Sequence, residues 1–272
     1  MGFGNAADAY ERGRPDYPAA LLEYLKHTVG IKVGWRVLDV GAGTGKFTRL
    51  LERTGARVVA VEPVAPMRER CAAALPDSTV VGATATALPF RAESQRAVVA
   101  AQAFHWFATP EAVAELRRVL ADEGVMVLVW NRRDESVPWV KELSGMLVGG
   151  SEGVPRYKDG SWRRVIEGSG LFGALWQASF AHAQEGPVAE IEDRVASISY
   201  VAAMAEERRR ELLGRVRALA EANRGPGGTV VLPYRTEVFW TTARSRQPGR
   251  WGHGCEEPGS ACKPRGGQWG GF

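Results

Sequence analysis

Residues 37–51 read VLDVGAGTGKFTRLL, and this stretch restricts the possible folds more than any other. A short apolar run ends in Gly41, Gly43 and Gly45, and a helical pattern starts at Lys46. Strand, glycine turn and helix in that order open a βαβ unit, whose helix covers the sheet while the next strand pairs in parallel. The alternation continues, with strand patterns at 35–40, 57–62, 78–83, 96–102 and 124–131 and helical patterns at 46–54, 66–75 and 110–120. Continuous valine-rich runs belong to strands buried on both faces. Two more strand patterns, 174–183 and 229–240, bring the number to seven. Helical patterns near 136–147, 161–168 and 193–221 flank the first of these, and another over 18–29 puts Leu21, Leu22 and Leu25 on one face. The expected architecture is α/β: a doubly wound, mostly parallel seven-stranded sheet over 1–240, with a helical insertion over about 135–225.

Beyond residue 240 the periodicity ends. Residues 241–272 are dominated by Gly, Pro, Arg and isolated Trp, so a disordered tail is expected there. His253, Cys255 and Cys262 lie in that tail at a spacing that matches no common zinc pattern, and no metal is expected. With Cys71 they make three cysteines in all, an odd and sparse set that suits a reducing compartment, and cytoplasm is the expected location. No apolar run is long enough to span or anchor in a membrane. The net charge is +4, of which +3 falls in 242–272. The remainder is close to neutral, which argues against a nucleic-acid groove.

Three chemistries use a strand, a glycine turn and a helix. A phosphate-binding loop needs Gly, four residues, then Gly-Lys followed by Ser or Thr; here Val40 takes the first place and Phe47 the hydroxyl place. A dinucleotide fingerprint needs G-x-G-x-x-G, but its third glycine falls on Lys46 in one register and Thr48 in the other. What remains is Asp-x-Gly-x-Gly-x-Gly from Asp39 to Gly45. That pattern suits an amino-acid-bearing nucleoside such as S-adenosylmethionine, because small residues let backbone N–H groups come close to the ligand. Asp39 is placed either to face the ligand's ammonium or to hold the loop. Glu62 closes the second strand, 17 residues after Gly45, where a carboxylate accepts both ribose hydroxyls.

The segments VLDVGAGTG, VVAVEP, ALPF and RVLADEGVMVLVWN resemble the successive motifs of class I S-adenosylmethionine-dependent methyltransferases of the type 11 kind, over about residues 5–240. More narrowly, AYERGRPDYP and AQAFHWF are similar to the branch that contains trans-aconitate methyltransferase-like enzymes. The resemblance implies a Rossmann-like methyltransferase fold, S-adenosylmethionine as cofactor and a small-molecule methyl acceptor as partner. By the same likeness Asp39, Gly41, Ala42, Gly43 and Gly45 line the methionine side, Glu62 holds the ribose, and Pro63 covers the adenine. Thr84 and Ala85 stand where relatives carry groups that meet the adenine edge, and Gln102 sits beside the methionine end. His105 and Trp106 follow at the mouth of the crevice. His105 is either a general base or a polar orienting group, and Trp106 either faces the sulfonium or packs. Tyr10, Arg14 and Tyr17 belong to a leading segment that folds over the cofactor.

Methyl transfer needs alignment more than acid–base chemistry. A carboxylate acceptor would require an arginine clamp, for which Arg132, Arg133, Arg163 and Arg235 are candidates, with Trp139 and Trp162 as pocket walls. The alternative on the same fold is a non-catalytic S-adenosylmethionine-binding protein that regulates a partner.

Overall fold

The structure, a computed structural model, describes residues 15–147 and 157–245. In chain order the elements are α1 (Ala19–His27), β1 (Arg36–Val40), α2 (Lys46–Glu52), β2 (Arg57–Val61), α3 (Ala65–Ala74), β3 (Thr79–Val81) and β4 (Gln95–Ala101). They continue with α4 (Pro110–Val119), β5 (Leu120–Arg133), α5 (Pro138–Met146), α6 (Ser161–Ser169) and β6 (Trp176–Gly186). The last are α7 (Val188–Ala196), α8 (Ser199–Ala202), α9 (Glu206–Ala222) and β7 (Val230–Thr242).

All seven strands form one sheet in the order β3-β2-β1-β4-β5-β7-β6. The first five pair in parallel, as their valine-rich, two-sided burial requires. β7 inserts between β5 and β6 and runs antiparallel to both. Leu38, Val98, Leu128 and Phe239 build a core on one face, covered by α4 and α6 through Leu116 and Ile166. Val37, Val99, Val127 and Val238 build the core on the other face, against Leu21, Leu22 and Leu25 of α1 and Phe47 of α2. The predicted stripe on α1 is thus the face it buries.

β6 and β7 pair over their whole length, from Trp176↔Trp240 to Gly186↔Val230, whereas β5 stops opposite Tyr234. The free end of this hairpin carries a third core, where Val230, Leu232 and Tyr234 pack against Val140 of α5, Val195 of α7 and Val216 of α9. The strand expected at 174–183, between the helical patterns, is β6, which runs from Trp176 to Gly186. The helical pattern over 193–221 is broken, into α7, α8 and α9. Val195 and Val201 are six residues apart, which is about 240° of helix, so a straight helix would turn one of them away from the core that buries both. At the other end β7 runs to Thr242, past the expected boundary at 240, because Thr241 and Thr242 pair with Met126 and Val125. Residues 246–272, with His253, Cys255 and Cys262, lie outside the described residues.

Candidate functional site

The carboxyl ends of β1, β2 and β4 meet at the glycine turn. Gly41, Gly43 and Gly45 all take left-handed backbone, with φ of 75°, 60° and 84°, but for different reasons. A Cβ on Gly41 would lie 2.6 Å from the Cβ of Ala103, and one on Gly45 would lie 2.7 Å from Leu75 Cδ1. Those two let the protein close on itself. A Cβ on Gly43 would meet nothing within 4 Å. Gly43 borders open space, which is where a ligand needs close access to backbone. The amides of Gly41 and Ala42 both donate to the carbonyl of Val61, at 2.8 and 3.1 Å, and so tie the turn to β2.

Glu62 is buried at the tip of β2. Its Oε2 accepts from the amide of Gly43 at 2.8 Å and its Oε1 from the amide of Val64 at 2.9 Å. Each carboxylate oxygen keeps a further lone pair for a hydroxyl donor. Asp39 is fully buried; Thr48 Oγ1 donates to its Oδ2 at 2.7 Å, while its Oδ1 has no partner. Burial, with a smaller push from the Glu62 charge and against the Thr48 bond, raises its carboxyl to about 7. A buried acceptor without a donor is costly, and a cationic ligand group beside it removes that cost. The same burial and the Asp39 and Glu62 charges push the Cys71 thiol up to about 11 and leave it unreactive. An open glycine, an orphaned buried carboxylate oxygen and a second carboxylate on the adjoining strand fit the zwitterionic nucleoside expected here.

Pro63 is exposed beside Glu62, and its carbonyl accepts from Arg68 at 3.0 Å. Thr84 and Thr86 are exposed and share a hydrogen bond of 3.1 Å, with Ala85 buried between them. Gln102 follows β4 with φ of 59°, an uncommon backbone for its residue type, and its Nε2 donates to the carbonyl of Asn131 at 3.1 Å. Asn131 donates in turn to the carbonyl of Asp16 at 3.4 Å, and Lys46 pairs with the Asp16 carboxylate at 2.9 Å. Tyr17 packs edge-on against Phe47 with ring centres 4.7 Å apart. Residues 15–18 therefore cross the strand ends beside the glycine turn. Tyr10 and Arg14 lie outside the described residues.

His105 sits in a single 3-10 turn after β4, next to the exposed Trp106 and 5.3 Å from it between ring centres. The indole N–H of Trp130, on β5, donates to His105 Nδ1 at 3.1 Å. That bond places the proton of the neutral ring on Nε2, so His105 presents a donor rather than a lone pair. This favours the orienting role over the general base. Phe104 is fully buried and meets Phe107 edge-on, so both pack while Trp106 faces out.

The arginine candidates separate between the two faces. Arg132 and Arg163 line a cavity of about 530 Å³ under α6, together with Tyr157, Trp162 and Glu237. Arg132 pairs with Glu237 at 2.8 Å, and Tyr157 donates to the same carboxylate. Trp130 joins this cavity to the crevice, since its ring packs on Tyr157 and Trp162 while its N–H holds His105. Arg133 lies on the opposite face and donates to Ser144 Oγ at 3.0 Å. Arg235 pairs with Asp134, and Trp139 belongs to the core of the α5–α9 cap. A second cavity, of about 540 Å³, runs from Lys46 and Asp16 to His182 and Gln184 on β6. His182 and Tyr234 lie in none of the motifs, and their place beside the site comes from the insertion of β7 between β5 and β6.

A family profile described as Methyltransferase domain matches residues 38–128. An uncharacterized methyltransferase of Mycobacterium tuberculosis is 43% identical over 155 residues, which are 57% of this chain and 61% of that protein. The chain thus matches less than two thirds of the length of its mycobacterial relatives. An uncharacterized methyltransferase-like protein of Schizosaccharomyces pombe is 32% identical over 233 residues, 85% of this chain and 91% of the relative. Among solved structures, a putative type II methyltransferase from Anaeromyxobacter dehalogenans superposes with a TM-score of 0.60 at 25% identity, covering 85% of this chain and 97% of that one.

Proposed function

The chain belongs to the methyltransferase family, and from that premise we propose that it transfers the methyl group of S-adenosylmethionine to a small-molecule acceptor that carries a carboxylate. The observation that carries the donor assignment is the glycine turn, where Gly43 borders open space and donates its amide to the carboxylate of Glu62, while buried Asp39 at the end of β1 keeps Oδ1 without a partner. Asp39 takes the ammonium, the amides around Gly43 the methionine end, and Glu62 the ribose hydroxyls. Pro63, Thr84 and Ala85 border the adenine. S-adenosylmethionine supplies an electrophilic methyl on a sulfonium. The chain supplies alignment and dryness: Gln102 fixes the strand ends, the Nε2–H of His105 orients the acceptor, and residues 15–18 cover the turn. The carboxylate follows from Arg132 and Arg133 at the end of β5, with Arg235 opposite Arg132, and from the likeness of AYERGRPDYP and AQAFHWF to enzymes with such acceptors.

Calorimetric titration with S-adenosylhomocysteine, NAD and ATP, followed by methyl-transfer assays on small carboxylates, amines and alcohols, tests the reading. S-adenosylhomocysteine is expected to bind, and Glu62→Gln to weaken it by about 10- to 100-fold, the loss of charged hydrogen bonds worth about 1.5–3 kcal/mol. The melting temperature of Glu62→Gln should move little. Binding of NAD alone, or an unchanged dissociation constant in the variant, would overturn the assignment. Binding without any methylated product across the panel would favour the non-catalytic alternative.

A further inference from the structure

Five of the eight buried side-chain atoms that lack a hydrogen-bond partner among the described residues fall in one region, where β5, β6 and β7 meet α7. They are Nε and Nη1 of Arg194, the hydroxyl of Tyr234, Nε2 of His182 and Oε1 of Gln184. Arg133, Tyr234 and His182 are successive members of one cross-strand row and share a face of the sheet. His182 stacks on Tyr234 with ring centres 5.5 Å apart. Arg194 on α7 is 8% exposed and Tyr234 is 1% exposed, and desolvation, with a smaller push from the nearby Arg194 charge, holds the Arg133 guanidinium below its ordinary range. Tyr234, Tyr200 and Glu135 offset only part of that effect. A buried guanidinium with unpaired N–H groups, set near a second, partly buried one, costs more than packing returns unless an anion joins them.

We propose that Arg133, Arg194 and Tyr234 form the seat for a carboxylate of the methyl acceptor, a group distinct from the one that receives the methyl. The inference rests on the methyl-donor reading above. Two guanidiniums and a phenol offer the forked donors that a carboxylate accepts. The seat lies on the same strand face as Asn131, whose carbonyl holds Gln102, and two residues beyond it, roughly 7 Å of strand. His182 connects it to the second cavity, whose far wall is Lys46 at the glycine turn. Asp16, Glu185 and Glu190 line that cavity too; Asp16 is paired with Lys46, Glu185 accepts from Thr229, and Glu190 lies against Gly186. An acceptor entering from this cavity reaches the seat past His182, which stacks on Tyr234, and so turns its anionic end toward the arginines. The class this selects is a small molecule with an anionic group at one end and the methylated atom at the other.

The test uses the full chain saturated with S-adenosylhomocysteine and titrates glutarate, citrate, inorganic phosphate and chloride at constant ionic strength. Glutarate or citrate should bind, with at least a tenfold loss of affinity in Arg194→Met and a several-fold loss in Tyr234→Phe. Both variants should keep the wild-type affinity for S-adenosylhomocysteine. Without anion, Arg194→Met should melt at or above the wild-type temperature, since it removes a buried unpaired charge; a structural arginine would give a lower one. Tyr234→Phe removes only an unpaired hydroxyl and keeps the test decisive if Arg194→Met fails to fold. Absence of carboxylate binding, or carboxylate affinity unchanged in the variants, overturns the seat. Phosphate binding as tightly as the carboxylates would mark it as a resident inorganic anion and overturn it too. Failure of S-adenosylhomocysteine to bind the wild type would instead overturn the reading beneath it.

Discussion

Asp39 combines two properties that rarely coexist in a residue kept for packing: full burial and a carboxylate oxygen with no donor. Its proton affinity makes the consequence measurable. The carboxyl is raised to about 7 in the fold, from the ordinary 3.8, so between these values the folded state binds the proton that the unfolded chain releases. Stability therefore falls as pH rises from about 4 to about 7 and levels beyond, by at most about 4 kcal/mol at 1.36 kcal/mol per unit. Asp39→Asn lacks this group and should lack its share of the slope. Urea unfolding at pH 5 and pH 7.5 compares the two proteins, and parallel changes would refute the linkage. The motif names Asp39 from sequence, because Asp-x-Gly-x-Gly-x-Gly fixes it beside the turn. Nothing in the motif tells which of its oxygens Thr48 takes, and that detail decides that one remains for a ligand.

The sequence specifies elements unevenly, and the reason is where each element finds its partners. Strands β1, β2, β4 and β5 are valine-rich and buried on both faces, so composition and flanking helices identify them. The three-way break of 188–222 is invisible to periodicity, since it follows from a core built on the free end of the β6–β7 hairpin. The same holds for the arginines. Arg132 and Arg133 are neighbours in sequence, and only the strand's alternation sends one under α6 and the other to Ser144 of α5. Arg117 shows what joins elements that the sequence sets far apart. It is 3% exposed on α4, and its guanidinium donates to the carbonyl of Leu120 at 3.0 Å, to Asp122 at 2.6 Å and to the carbonyl of Arg244 at 2.6 Å. It thus clamps the α4–β5 corner to the end of β7. Arg117→Ala removes a buried charged donor from the carbonyls of Leu120 and Arg244 and should cost about 1.5–3 kcal/mol. Equilibrium unfolding in urea measures it, and a cost below about 1 kcal/mol would show that the clamp is dispensable.

At the scale of the whole molecule, β7 decides whether the cap and the sheet behave as one body. Its first half, Val230 to Tyr234, lies in the cap core, while Val238 and Phe239 lie one in each core of the sheet. A strand shared by three cores cannot release one of them without losing backbone pairing in the others, because β7 pairs with β6 from Val230 to Trp240 and with β5 from Tyr234 to Thr242. The candidate sites depend on that coupling: Gln102 reaches β5, Asn131 of β5 holds Thr236 of β7, and Tyr234 beside it belongs to the cap. Leu232 is fully buried in the cap core, far along β7 from the glycine turn. Truncation there costs about 2–5 kcal/mol. If the molecule unfolds as a unit, Leu232→Ala lowers the temperature of a single transition and leaves the ratio of calorimetric to van't Hoff enthalpy near one. Saturating S-adenosylhomocysteine should then raise that same transition, even though Leu232 lies in the cap core rather than at the glycine turn. Scanning calorimetry of the wild type and the variant, each with and without the ligand, makes the comparison. Two resolved transitions in Leu232→Ala, only the upper one responding to ligand, would show that the cap unfolds independently and that β7 does not couple them.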